Sequence, residues 1–262
     1  MRRRSYIYVI IFVLSLIVFT DCGKRVSTNT ERKTSLLVDS LEKKAESHLY
    51  SEPLKSCQFL KAALHICTDE ARQAEIETSL AKAFFLSSQY DSATFYCQKV
   101  ISYCQDQNQS NVQIRRLLME NCNILGNKFG RVSDNKQAIH YYIQAFSHCK
   151  QSDKQRFLPD ICANIADTYI RTGDFVNGVK FYRTALHYAD SLELPKEDYS
   201  FIYHGLGHAY TELHDYELAD YFYCQTEAFL EHMDIHEKFV YLNNRGLYYY
   251  SIKDYPNSMK YH

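Results

Sequence analysis

At 262 residues, with 46% hydrophobic and 23% charged content, the chain can bury a substantial core and lies outside the composition of disordered proteins. Thirty Lys and Arg against thirty-one Asp and Glu leave a net charge of −1, so the electrostatic footprint of a nucleic-acid binder is absent. Eight Gly and four Pro are too few for the turns of a sheet-rich fold and favour long helices joined by short loops. Twenty-three Tyr, fifteen Phe and no Trp ask for an architecture that reuses aromatics at equivalent places.

The chain opens on a basic "MRRRS", followed by an apolar run of fifteen residues from Tyr6 to Thr20. That length suits the apolar region of a signal peptide and is short of the ~20 residues of a spanning helix. Directly behind it, "DCGKR" resembles the lipobox of bacterial lipoproteins, which implies a lipid on the thiol of Cys22. Asp21 stands where such sequences carry Gly, Ala or Ser, so an uncleaved N-terminal anchor and ordinary signal cleavage stay open beside lipidation. All three carry the chain out of the cytoplasm. Residues 1–22 are read as the signal, and 23–33, "GKRVSTNTERK", as a polar tether.

From residue 34 helical patterning takes over. "LLVDSLEKKAESHLYSEPLKSCQFLKAALHIC" reads as two helices, with Pro53 at the start of the second. A repeat follows. Small Ala166 is succeeded by Tyr169, Phe175, Gly178, Tyr182 and Ala185, and the same offsets return four more times. The leading small residues are Ala81, Gly126, Ala166, Gly207 and Gly246, at intervals of 45, 40, 41 and 39. Within each half, apolar residues recur at three and four, and short polar turns such as "RTGDF" and "LHDYE" separate the halves. Each repeat is therefore a helical hairpin whose small residues let two helices cross closely. Its apolar faces need neighbours to cover them.

This pattern resembles the tetratricopeptide repeat from about Leu36 to the end. The usual Trp is replaced by Cys122, Cys162, Tyr203 or Leu242, and the period of about 40 exceeds the standard length. The resemblance implies an all-α superhelical solenoid of antiparallel hairpins over 34–262, about five and a half units with the last incomplete. Second helices are expected to run for about seventeen residues, and the final one stops early at His262, as in a repeat interrupted midway in a longer protein.

Chemistry-bearing motifs are sparse. Cys57, Cys67, Cys97, Cys104, Cys122, Cys149, Cys162 and Cys224 fall on apolar stripes and are expected as small buried core residues, without C-x-x-C zinc spacing. His204 and His208 share a helical face at i and i+4, as do His232 and His236, but the Glu of an H-E-x-x-H site is missing. Neither a phosphate loop nor a nucleophile elbow is present, so neither catalysis nor a cofactor is expected.

In the tetratricopeptide family the first helix of each unit lines a concave groove. The resemblance maps its outward residues onto Asn123, Asn127 and Arg131, then Ala163, Asp167, Ile170 and Arg171. They continue as His204, His208, Thr211 and Glu212, then Asn243 and Leu247. The basic clamp of chaperone-binding repeats is not there; a polar groove flanked by Tyr suits a peptide or helix. The expectation is a non-catalytic module for a protein or peptide partner, held at the outer side of a bacterial membrane by its N-terminal lipid or anchor. It is similar to the exported sensor portions of Bacteroidetes-type regulators. A stand-alone scaffold lipoprotein in envelope assembly, and a ligand- or metal-binding receptor, are the alternatives.

Overall fold

A computed structural model describes residues 32–261; Cys22 with its signal segment, most of the 23–33 tether, and His262 lie outside the described residues. Twelve α-helices and two short 3-10 turns make up the fold, and no strand occurs among the described residues. The chain divides into two compact units, one up to Ala93 and one from Thr94.

The first unit holds α1 (32–48), α2 (Pro53–Ile66) and α3 (Glu70–Leu86). Pro53 opens α2, where its missing N–H would be unpaired in any case. Asp69 caps α3 by accepting hydrogen bonds from the backbone N–H of Ala71 and Arg72 at 2.9 and 3.1 Å. Leu60 and Ala63 of α2 and Ile76, Leu80 and Ala83 of α3 are buried. The Arg72 guanidinium on α3 reaches back to the carboxylates of Asp39 and Glu42 on α1. Helix α4 (Tyr90–Gln105) runs across the boundary between the units.

Four hairpins build the second unit: α5 (Val112–Arg131) with α6 (Asn135–Lys150), α7 (Leu158–Arg171) with α8 (Phe175–Ser191), α9 (Ser200–Glu212) with α10 (Tyr216–Glu227), and α11 (Ile235–Ser251) with α12 (Tyr255–Tyr261). Each first helix packs on its own partner, α7, α9 and α11 pack also on the hairpin behind them, and α5, α7, α9 and α11 meet in succession. The core is correspondingly layered. One layer joins Met119 and Cys122 of α5, Tyr142 and Ala145 of α6, and Ile161 and Ile165 of α7. The next joins Ala166 of α7, Tyr182 of α8, Leu206 of α9, Tyr223 of α10 and Tyr241 of α11. Helix α10 has 12 residues, short of the seventeen expected, because the chain turns away after Glu227.

The hairpin turns share one geometry. Ser88, Ser133, Gly173, His214 and Lys253 adopt φ between 60° and 79°, each seven residues after the small residue that leads its repeat. The next backbone N–H, of Gln89, Asp134, Asp174, Asp215 or Asp254, donates to the carbonyl of the repeat aromatic, Phe84, Phe129, Tyr169, Tyr210 or Tyr249, at 2.9–3.0 Å. This left-handed closure satisfies a carbonyl that the helix end leaves free. The four Asp residues then cap the following helices, accepting from the backbone N–H three positions on at 3.1–3.3 Å. At these four turns one Asp therefore both closes one helix and starts the next.

Seven of the cysteines, Cys57 to Cys162, are buried free thiols. Cys224 corrects the expectation: it is exposed, because Tyr223 takes the inward slot of α10 and turns its neighbour outward.

Candidate functional site

The first helices of the second unit display three tiers of side chains spaced i, i+4 and i+8, so each helix contributes one stripe. Counted from the leading small residue, the first tier is Asn123, Ala163, His204 and Asn243; the second is Asn127, Asp167, His208 and Leu247; the third is Arg131, Arg171, Glu212 and Ser251. Ala163 departs from its expected outward role, since it is 1% exposed and packs into the core layer behind α7. Thr211 is likewise buried, its hydroxyl donating to the Gly207 carbonyl at 2.8 Å.

Around α5 and α7 the tiers are tied to the framework. The Tyr142 hydroxyl donates to Asn127 Oδ1 at 2.8 Å, and the Tyr182 hydroxyl donates to Asp167 Oδ1. Arg171 Nη1 donates to the carbonyl of Gly130 at the end of α5, and Nη2 to Thr168 Oγ1, both at 2.9 Å. Arg131, Asp167 and Arg171 all lie close enough to act on the Tyr142 phenol, whose pKa burial raises. Asp167 keeps contact with solvent, yet the protein packed around it pushes its carboxyl pKa up, against the Tyr182 hydroxyl and Arg171, which lower it.

On α9 the character changes. His204 is half-buried, with Nδ1 enclosed and without a hydrogen-bond partner, and burial beside His208 holds its pKa down at about 4. At neutral pH this ring is uncharged. Burial also lowers His208, and the exposed Glu212 carboxylate 3.8 Å from its Nε2 works the other way. Asn123 Oδ1 on α5, at the position equivalent to His204, is likewise an enclosed polar atom without a partner. Arg131 and Asn243 are exposed. Among the described residues no three His, Cys, Asp or Glu side chains are placed to hold a metal ion, and no helix is long and apolar enough to cross a membrane.

A polar cluster that sequence reasoning missed sits on α10 and α11. Arg245 is 3% exposed; its Nη1 donates to Asp220 Oδ1 at 2.8 Å, and Glu227 Oε1 lies 3.7 Å from Nε. Its guanidinium stands 4.7–5.1 Å from the ring centres of Tyr223, Tyr248 and Tyr249. The Tyr241 hydroxyl completes the cluster by donating to Glu227 at 2.8 Å. The signal was available: the residue before the leading small residue is Leu80, Leu125, Ile165 and Leu206 in the other repeats, and here it is Arg.

A family model described as tetratricopeptide repeat matches residues 159–190, the α7–α8 hairpin. No curated protein sequence matches the chain. Among solved structures, pilF of Pseudomonas aeruginosa is similar at 13% identity and a TM-score of 0.63, over 87% of this chain and 90% of that one. A Rap protein complexed with Competence and Sporulation Factor has 13% identity and a TM-score of 0.62, over 86% of this chain and 73% of its own. A tetratricopeptide repeat protein from Parabacteroides merdae has 10% identity and a TM-score of 0.58, over 86% and 77%. At these identities the likeness is one of fold: the chain is a tetratricopeptide-like stack of helical hairpins. No catalytic family is indicated.

Proposed function

We propose that the tiered face of α5, α7, α9 and α11 binds a polypeptide segment of a partner protein and carries out no chemistry itself. The observation that carries this reading is the ladder: polar side chains recur in register on four successive helices. Asn127, Asp167 and Arg171 are fixed by bonds to the framework, while Arg131, Glu212 and Asn243 stand open. A preorganised polar surface spends little conformational entropy on binding. The fold shared with a Rap protein solved with Competence and Sporulation Factor supports the same reading.

The test is a variant carrying Arg131→Ala, His208→Ala, Glu212→Ala and Asn243→Ala, none of which removes a bond that ties α5 to α7. It is expected to keep wild-type helicity by circular dichroism and to lose the proteins that photo-crosslink to the wild-type chain in the cell envelope. Equal recovery of those proteins by both chains would overturn the groove.

The same reading places the repeats outside a bacterial inner membrane, anchored through Cys22, as a scaffold or as the sensing part of a signalling protein. The basic start, the apolar run and the Cys-Gly behind it support the anchor. Cells fed labelled palmitate are expected to label the wild-type chain and not Cys22→Ser; label retained by the variant rules the thioether-linked lipid out.

A further inference from the structure

Resting on the groove reading, the third tier adds information about the ligand. Along it the charge changes sign: Arg131 on α5 and Arg171 on α7 are followed by Glu212 on α9. Arg131 is exposed, and Glu212 keeps 41% of its side chain open, so both can meet a ligand. Asp167 offsets part of the positive end, but its carboxylate accepts the Tyr182 hydroxyl and its pKa is raised. His208 Nε2 lies 3.8 Å from Glu212, and burial lowers the His208 pKa, which leaves the negative end net acidic at neutral pH.

Neighbouring helices pack about 8–10 Å apart, so two steps separate Arg131 from Glu212 by roughly 16–20 Å. That exceeds the Debye length of about 8 Å at physiological ionic strength, and the two ends act on a ligand as separate sites. An extended chain covers the same distance in about five to six residues at ~3.3 Å each.

We infer that the groove selects a bipolar polypeptide segment, with an acidic side chain seated at α5 and α7 and a basic side chain about five to six residues away at α9. Such a ligand is held in one direction, because reversing it sets Arg against a basic group and Glu212 against an acidic one.

The probe is a phage-displayed library of random dodecapeptides, panned against the full chain in detergent and against the charge-exchanged chain Arg131→Glu/Glu212→Arg. Wild type is expected to enrich peptides pairing Asp or Glu with Lys or Arg at that spacing, and the exchanged chain to enrich the opposite order. Representative wild-type peptides are expected to bind at least about tenfold more weakly to the exchanged chain, a loss of about 1.4 kcal/mol. Peptides enriched without a charge pattern, or in the same order by both chains, overturn the inference and leave the groove standing. If nothing is enriched, or if the fourfold alanine variant binds the enriched peptides undiminished, the groove reading falls with it.

Discussion

Replacing Arg245 by alanine is expected to lower stability by about 3–4 kcal/mol, read as a fall in the urea midpoint at constant slope. Two losses combine. The stem leaves a void among Tyr223, Tyr241 and Tyr248, and the guanidinium gives up its charge-assisted bond to Asp220 and its three ring faces. One effect opposes them, since a guanidinium that is 3% exposed has given up its hydration and its Nε lacks a hydrogen-bond partner. Arg245→Met separates the two. It restores the stem and sets a thioether against the rings, so it is expected to recover about half of the loss and remain about 1–2 kcal/mol below wild type. Asp220 and Glu227 keep 48% and 39% of their side chains in solvent, which lets them rehydrate and keeps the charge part small. A methionine variant at least as stable as wild type would show that desolvation outweighs everything the guanidinium gains.

Gly126→Ala is the second large effect. A Cβ at Gly126 would lie 2.5 Å from both Cδ1 and Cε1 of Tyr142, closer than any van der Waals contact. The ring is buried in one core layer with Ala138, Ala145 and Ile161, and its hydroxyl is bonded to Asn127, so moving it aside disturbs that packing or breaks that bond. Overpacking of this kind costs about 1–3 kcal/mol, and the better helix propensity of alanine returns up to about 1. The net expectation is a loss of about 1–2 kcal/mol in chemical denaturation. Gly126→Ala combined with Tyr142→Leu is expected to cost less than the sum of the single changes, because the smaller side chain relieves the clash. Strict additivity would mean that the ring moves aside without strain.

Much of the hairpin architecture was legible in the sequence, for a physical reason. A helical hairpin writes its period, its crossing residues and its turn into local spacing, and Ala81 to Gly246 carry that spacing five times. The site was legible only as positions. Register alone placed Asn127, Asp167 and Arg171 on one face, but the bonds that tie them down run to Tyr142, Tyr182 and the Gly130 carbonyl, 15 to 41 residues away. Periodicity holds no record of such pairings. Ala163 was placed outward by the same register and is buried, because a side chain so small does not reach past the helices flanking it. Arg245 broke the pattern openly, as a charge in a slot where four other repeats hold Leu or Ile, and a rule broken locally was the trace of the cluster it anchors.

The hairpin turns have one more consequence. From the leading small residue to the left-handed residue the count is seven in all five repeats, although the repeat itself varies from 39 to 45 residues. The length variation therefore falls outside the elbows: the second helices α4 to α10 run for 12 to 17 residues, and the first helices begin 7 to 14 residues before their leading small residue. The elbow is the part of the repeat whose length stays constant. A residue inserted in an elbow would turn the second helix by about 100° and point its tyrosines away from their glycines, whereas the joints between hairpins are the places where epitope tags or whole domains can be spliced in.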